Sequence, residues 1–259
     1  MKKFISYKMI FLVLLLMFDM PVAIAHHPQI VLGINHAPPY TFVDTNQQGS
    51  GIILDIMQRI EVDVGFELQV VSCPFPRCLK MAKEGKIDML GGLIKNPQRN
   101  DYLDFIEPAY MVLNSSFVFY ALKDNNIEVN TYEQLSNKRI AVTRKAAHFE
   151  RFDNDLTLDK VLVSSEKVAM DMLLKDRVDI VIAVEETADY SLKYLNQDRH
   201  KLQKLNYRYT DTILGYAAFS RKYHNLEILN KIKQKMRDFQ KNGMLTELVK
   251  PYNLPPINE

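Results

Sequence analysis

The chain has 259 residues, of which 47% are apolar and 25% are charged, and its formal net charge at neutral pH is +2. This composition excludes a disordered chain, and the length suffices for one large domain or two small ones. The small net charge argues against nucleic-acid binding, which depends on a surplus of Lys and Arg.

The N-terminus has the parts of a cleavable secretory signal peptide. Lysines precede the apolar run MIFLVLLLMF, and small residues end the segment at Ala23 and Ala25. We predict cleavage after Ala25 and no lipid anchor, because no cysteine lies near that bond. The alternative is a retained membrane anchor, but the run is shorter than the roughly 20 residues that a spanning helix needs. Removal of residues 1–25 leaves a neutral chain.

The sequence contains two cysteines, Cys73 and Cys78, in the segment CPFPRC. An even pair at this short spacing in an exported protein predicts a disulfide. The alternatives are two free thiols or a redox pair, the second weakened because the spacing is not C-x-x-C. We expect neither a metal site nor a cofactor, because no further metal ligands lie nearby in the sequence.

Short apolar runs alternate with amphipathic segments along the chain. The first elements predicted are a strand at 29–34, a helix with an apolar face from Ile52, a strand at 66–70, a helix ending at Gly85 and a strand at 87–90. This βαβαβ order predicts a parallel or mixed sheet with helices on both faces.

The second half of the chain repeats the pattern. Its predicted elements are strands at 117–121, 138–143, 160–163, 179–184 and 213–220, a capping box at Thr131 and Gln134, a helix that opens at Ser164 or Ser165, and a long helix at 225–242 stopped by Gly243. We therefore predict an α/β protein of two lobes joined by strands, which permits hinge motion.

Several segments together resemble a known family. They are GINHAPPYTF with GSGIILDI, then EGKIDMLGGLIKNPQRNDYLDFIEPAY, then DRVDIVIAVEETADY, and finally KNGMLTELVKPY. Their order and spacing resemble the extracellular solute-binding proteins, family 3, which serve polar amino acid ABC importers. The sequence contains no G-x-S-x-G, G-x-x-x-x-G-K-[ST], G-x-G-x-x-G or H-E-x-x-H motif that would indicate common enzyme chemistry.

The resemblance implies a periplasmic binding protein of the two-lobed type II fold, each lobe a mixed sheet flanked by helices. Lobe 1 is expected to comprise residues 26–113 and 210–259, and lobe 2 residues 114–209. The implied function is capture of a small polar, carboxylate-bearing molecule by a monomer without catalysis. An inner-membrane ABC permease or a sensor is the implied partner.

The resemblance also implies specific ligand contacts. Arg99, six residues before Phe105, corresponds to the arginine that binds the ligand α-carboxylate, a role suited to the planar guanidinium. Phe75 and Tyr40 match aromatic positions that pack on the ligand, although both are also compatible with the core. If the family motif around it is disregarded, the alternative for Arg99 is a surface arginine in a turn.

Three more residues are candidates near the cleft. Gly91 and Gly92 match positions whose backbone faces the ligand, and a tight turn is the alternative explanation. Arg77 adds a second cation if it points inward, and a solvated arginine at a helix start is the alternative.

Departures from the family pattern affect the expected ammonium site. The two places where amino acid binders carry aspartates hold Asn35 and Val184, with Glu185 adjacent as a substitute. The second-lobe Gly-Ser/Thr segment is replaced by residues 145–147, Lys-Ala-Ala. Either Glu185 binds an ammonium group, or the ligand is a different small molecule with an anionic group.

Two other functions remain open from the sequence. Some relatives of this fold are dehydratases acting on cyclic acids, and His148 with Glu150 is the acid/base cluster to test for that reading. A sensory or accessory protein without transport would use the same fold and cleft, and differs only in its partner.

Overall fold

The computed structural model describes residues 27–113, 116–194 and 199–254, and the predicted cleavage site at Ala25 lies outside them. Within these ranges the chain forms two five-stranded sheets and a two-stranded ribbon, with helices packed against the sheets. None of the helices in these ranges is long and apolar enough to span a membrane.

Strands and helices alternate along much of the chain. In chain order, the strands are β1 (Gln29–Ile34), β2 (Thr41–Val43), β3 (Gly49–Gly51), β4 (Glu67–Ser72), β5 (Met89–Leu93), β6 (Leu103–Leu113), β7 (Ser116–Leu122), β8 (Arg139–Thr143), β9 (Asp159–Val163), β10 (Ile180–Val184), β11 (Leu202–Thr210) and β12 (Ile213–Ser220). The helices are α1 (Ile52–Val64), α2 (Phe75–Glu84), α3 (Pro97–Asn100), α4 (Glu150–Asn154), α5 (Glu166–Leu174), α6 (Glu185–Tyr194), α7 (Leu226–Lys241) and α8 (Met244–Val249). Short 3-10 helices are Lys123–Asn125, Tyr132–Leu135, Arg199–Lys201 and Lys250–Tyr252.

The two large sheets define two lobes. The sheet of lobe 1 has the order β4-β1-β5-β12-β6, and that of lobe 2 has the order β11-β7-β10-β8-β9. In lobe 1, β1 pairs in parallel with β4 and β5, whereas β12 is antiparallel to β5 and β6. In lobe 2, β8 is parallel to β9 and β10, and β7 is antiparallel to β10 and β11. Both sheets are mixed, which confirms the predicted fold class.

The chain passes between the lobes where one strand ends and the next begins. It leaves lobe 1 between β6 and β7 and returns between β11 and β12. At the return, the Asp211 carboxylate accepts hydrogen bonds from the Thr212 backbone N–H at 2.8 Å and from the Tyr209 hydroxyl at 3.2 Å. Lobe 1 is therefore built from the two ends of the described chain.

Apolar side chains cover both faces of each sheet. On one face of the lobe 1 sheet, α2 contributes Leu79, which clusters with Leu90 of β5, and on the other face α1 and α7 contribute Ile56 and Ile232. In lobe 2, α5 and α6 cover one face of the sheet. Burial of both faces explains why β1 and β10 consist almost wholly of apolar residues.

Four strands, β2, β3, β6 and β11, were absent from the sequence prediction, and a fifth, β5, was displaced. β6 carries Pro108 within its span, and β11 is an edge strand with charged residues between apolar ones. The strand predicted at 87–90 begins at Met89 instead, because Asp88 ends the preceding turn, and its carboxylate accepts the Val31 N–H at 2.8 Å.

Candidate functional site

The predicted lobe 1 site residues follow the carboxyl ends of parallel strands. Asn35 comes directly after β1 and is half-buried, Phe75 opens α2 after β4, and Arg99 lies in α3 after β5. Adjacent parallel strands end at the same edge of a sheet, which is the usual place for a ligand crevice in open α/β sheets. The fold therefore gathers these residues at one edge of the lobe 1 sheet.

Arg99 is buried at the boundary between the lobes, with 3% of its surface exposed. Its Nη1 donates to the Ile94 carbonyl at 2.5 Å, and its Nη2 donates to the Lys145 carbonyl of lobe 2 at 2.9 Å. The guanidinium carbon lies 5.5 Å from the centroid of the Phe75 ring. Asn96 caps α3 by accepting the Arg99 backbone N–H at 2.9 Å. Arg99 is thus held in place by both its backbone and its side chain.

Within the described ranges, the Arg99 guanidinium has carbonyl acceptors and an aromatic neighbour but no carboxylate at salt-bridge distance. Burial lowers the pKa of Arg99, while interactions with Tyr102 and Asp153 act in the opposite direction. Arginine nevertheless stays protonated in proteins. A buried cation without a charged partner is costly, so an anion placed beside Arg99 would be stabilised.

A second polar group lies on the lobe 2 side of the boundary. The Glu186 Oε2 atom is buried and has no hydrogen-bond partner among the residues that the structure describes. Tyr40 in lobe 1 is 6% exposed, and burial together with the charge of Glu186 raises the pKa of its hydroxyl group. The charge of Glu186 thus acts on Tyr40 across the lobes, and a cation beside Glu186 would relieve the cost of its unpaired oxygen.

Glu185, the substitute acid suggested by the sequence, is engaged elsewhere. Its Oε1 accepts from Lys204 at 2.8 Å, and its Oε2 accepts from Arg208 at 3.3 Å. Both cations lie on β11, within lobe 2. Both oxygens of Glu185 thus have cationic partners, whereas Glu186 Oε2 has none among the described residues.

The remaining candidates of lobe 1 have distinct surroundings. A Cβ atom at Gly91 would meet Ile53 and the Tyr110 hydroxyl at less than 3 Å, so the packing of lobe 1 itself requires glycine there. Gly92 is exposed and has φ +67°, a conformation that favours glycine. Arg77 is exposed on α2.

The loop after β8 takes the place of the family's Gly-Ser/Thr segment. The Ala146 N–H donates to the Thr143 carbonyl at 2.9 Å and closes a turn in which Lys145 has φ +63°. Beyond this turn, the His148 ring Nδ1 lies 3.0 Å from Asp153 Oδ1, and the His148 backbone N–H donates to Asp153 at 2.9 Å. His148 is therefore hydrogen-bonded to Asp153, whereas the sequence suggested Glu150 as its partner in a candidate acid/base cluster.

The structure joins Cys73 and Cys78 in a disulfide, as the sequence predicts, with a Cα–Cα distance of 5.5 Å. The bridge connects the residue after β4 with the first turn of α2. Because Phe75 lies inside this short loop, the disulfide restrains the backbone that places its ring against Arg99.

A family model described as bacterial extracellular solute-binding proteins, family 3, matches residues 30–255. The match includes all of the candidate ligand contacts. It extends over nearly all of the chain that the structure describes.

Known proteins with sensory and transport roles are similar to this chain. The virulence sensor protein BvgS of Bordetella pertussis is 23% identical over 176 residues, which are 67% of this chain but only 14% of that protein. A histidine kinase sensor domain with similarity to periplasmic binding proteins has a TM-score of 0.75 at 18% identity, over 90% of this chain and 99% of that one. The substrate binding protein of an amino acid ABC transporter has a TM-score of 0.69 at 19% identity, over 87% of this chain and 99% of that one. At these identities the two structures indicate a shared fold.

Proposed function

The chain belongs to the bacterial extracellular solute-binding proteins, family 3, and on that basis we propose that it captures a small, polar, carboxylate-bearing molecule of amino acid type. The ligand lies between lobe 1, residues 26–113 and 210–259, and lobe 2, residues 114–209. Binding involves no chemical step. The protein acts as a periplasmic monomer after cleavage at Ala25.

The observation that carries this proposal is the buried charge of Arg99, which has no carboxylate at salt-bridge distance in the part of the chain that the structure describes. Arg99 is 3% exposed at the lobe boundary, and its guanidinium is hydrogen-bonded to two carbonyl oxygens. A ligand carboxylate can accept two parallel N–H bonds from a guanidinium and neutralise its charge. The neighbouring Phe75 ring and the exposed backbone of Gly92 would form the walls around that carboxylate.

Glu186 gives the site its second charge. A ligand with an ammonium group would pair with this buried carboxylate, while Tyr40 would pack against the group from lobe 1. Asn35, at the end of β1, supplies a neutral amide where family members carry an acid. An amino acid-like ligand thus has a partner for each of its two charges.

Two partners for the loaded protein are supported to different degrees. Delivery to an inner-membrane ABC permease is the first candidate, and it is supported by the solute-binding family and by the similar substrate binding protein of an amino acid ABC transporter. A sensory role is the second candidate, because BvgS and a histidine kinase sensor domain are among the similar proteins. Co-purification with a detergent-solubilised permease would favour transport, whereas binding to a sensor ectodomain would favour signalling.

The proposal is tested by substitution of Arg99 after a thermal-shift screen of amino acids and organic acids, since a ligand that binds only the native state raises Tm. Calorimetry with the best ligand should show affinity reduced at least about 30-fold in Arg99→Ala, because loss of a buried charge partner costs about 2 kcal/mol or more.

Arg99→Lys keeps the charge but loses the planar fork, and should also bind weakly. Arg59→Ala is the matched control, since Arg59 lies on α1 and pairs with Asp63. Unchanged affinity in a folded Arg99→Ala variant would remove Arg99 from the site. The absence of any carboxylate ligand from the screen would refute the proposed ligand class.

A further inference from the structure

Direct contacts between protein groups join the two lobes at Arg99. The guanidinium belongs to α3 of lobe 1, and the Lys145 carbonyl that it contacts at 2.9 Å follows β8 of lobe 2. The donor is charged and buried, so this hydrogen bond is of the stronger kind. The same guanidinium is the group proposed to bind the ligand carboxylate.

The position of the Lys145 carbonyl is set by an unusual turn. Lys145 is a non-glycine residue at φ +63°, a left-handed conformation that carries a conformational cost. Hydrogen bonds hold the turn on both sides: Arg144 N–H donates to the Val163 carbonyl at 2.8 Å, and Ala146 N–H donates to the Thr143 carbonyl at 2.9 Å. The surrounding hydrogen bonds therefore keep Lys145 in this costly conformation, and its carbonyl points toward Arg99 of lobe 1.

Other described contacts cross the same boundary. The Phe42 ring of β2 packs edge-on against the Tyr190 ring of α6, with centroids 5.8 Å apart and planes at 72°. Asp153 of α4 interacts with Arg99 through its charge, from the same side as Lys145. Lobe 1 and lobe 2 therefore meet through a hydrogen bond, a ring contact and a charge interaction that involve protein groups alone.

We propose that the hydrogen bond from Arg99 to the Lys145 carbonyl is an internal latch that holds the lobes closed and competes with a ligand carboxylate for the guanidinium. The competition rests on the proposed function, whereas the latch itself does not. In a protein with such a latch, a substantial share of the molecules is closed before the ligand binds. The ligand then replaces the hydrogen bond between Arg99 and Lys145 while the lobes stay closed.

The latch is tested by electron spin resonance distances between labels on the two lobes. Val62→Cys on α1 and Leu156→Cys between α4 and β9 provide exposed label sites, at 76% and 94% exposure, and both native cysteines are in the disulfide. The protein is unfolded, washed and refolded to remove bound solutes before measurement. Lys145→Pro fixes φ near −65° and so displaces the carbonyl.

The expected result is a dominant short distance in the parent and at least a tenfold fall in its ratio to longer distances in Lys145→Pro. Lys145→Gly is the matched control, because it removes the same side chain but retains a positive φ, and its distances should equal those of the parent. Arg99→Lys removes the guanidinium that donates the latch hydrogen bond, and should lengthen the distance between the labels as Lys145→Pro does. It replaces Lys145→Pro in the test if the proline variant does not fold.

A parent protein dominated by the long distance, or a distribution unchanged in both latch variants, would overturn the latch. Failure of the proposed function would look different: the latch variants would open the lobes, but no carboxylate would bind in the thermal-shift screen. If a carboxylate binds with the same affinity to the parent and to an opened Lys145→Pro variant, the competition is overturned.

Discussion

Glu185 and Glu186 are adjacent in the chain, yet their carboxylates have different surroundings. Glu185 is paired with Lys204 and Arg208, while one oxygen of Glu186 is buried without a partner among the residues that the structure describes. Successive residues on a helix differ by about 100° in direction, so the two side chains at the start of α6 point to different surroundings. The sequence shows two glutamates but does not show where that helix begins.

We expect Glu186→Gln to lower the affinity for an ammonium-bearing ligand by about tenfold or more, because a charged hydrogen bond is replaced by a neutral one. Calorimetry should compare the ligand with its deaminated analogue, and the variant should bind the analogue as the parent does. Glu185→Gln is the matched control and should leave both affinities unchanged. Equal loss in the two variants would argue against a special role for Glu186.

At the scale of elements, Glu166 connects two helices of lobe 2. It lies in the first turn of α5 and accepts hydrogen bonds from the hydroxyl groups of Thr187 at 2.8 Å and Ser191 at 2.9 Å, both on α6. Burial raises the pKa of Glu166, and the two hydrogen bonds only partly oppose that change. Glu166 thus helps to position α6, the helix that carries Glu186, although burial of its carboxylate is unfavourable.

The raised pKa determines how stability varies with pH. A group whose pKa is higher in the folded state contributes most to stability below its unfolded pKa, and this contribution is lost as the pH rises through the folded pKa. We therefore expect Glu166→Gln to be more stable than the parent at pH 8, by about 2–4 °C in Tm or roughly 1 kcal/mol. The advantage should shrink as the pH falls toward 5.

Thermal unfolding of the parent and the variant across this pH range checks the prediction. Glu227→Gln provides the control, since Glu227 also lies in the first turn of a helix but is exposed, and a hydrogen bond from Lys231 lowers its pKa. It should show no gain at pH 8. A loss of stability in Glu166→Gln at pH 8 would mean that the hydroxyl contacts outweigh the burial of charge.

For the molecule as a whole, the returning C-terminal segment completes lobe 1. The Tyr252 hydroxyl donates to the Asp55 carboxylate on α1 at 2.6 Å, across 197 residues of sequence. Nearby in the chain, the Tyr223 hydroxyl is buried and has no hydrogen-bond partner among the described residues. Two tyrosines of the same C-terminal part thus differ in whether the hydroxyl contributes a bond.

We expect Tyr252→Phe to lower the free energy of unfolding by about 1–2 kcal/mol, because a bond to a charged acceptor is lost. Tyr223→Phe removes an unpaired buried hydroxyl and should be neutral or stabilising. Urea unfolding of both variants provides the measurement, and neither should alter ligand affinity. Equal destabilisation by the two substitutions would show that ring packing, not the Asp55 bond, is responsible.

Local signals were sufficient to predict most of the elements. The capping box at Thr131 and Gln134 is present, Asn225 caps α7 by accepting the Ile228 N–H at 3.1 Å, and Gly243 has φ +78°. Such signals lie within a few residues of one another, and buried strands such as β1 are recognisable from continuous apolar runs. β6 and β11 lack these signals, because one contains a proline and the other alternates with charges at a sheet edge.

The sequence by itself determined the family, the mixed α/β architecture and the paired cysteines, since each depends on residue types and on spacing along the chain. Only the tertiary structure decided which of the two glutamates keeps a buried oxygen without a partner among the described residues, and that Arg99 contacts the Lys145 carbonyl, 46 residues away. The reason is physical: a hydrogen bond between lobes depends on how two independently formed sheets are packed, and neither sequence segment encodes that distance alone.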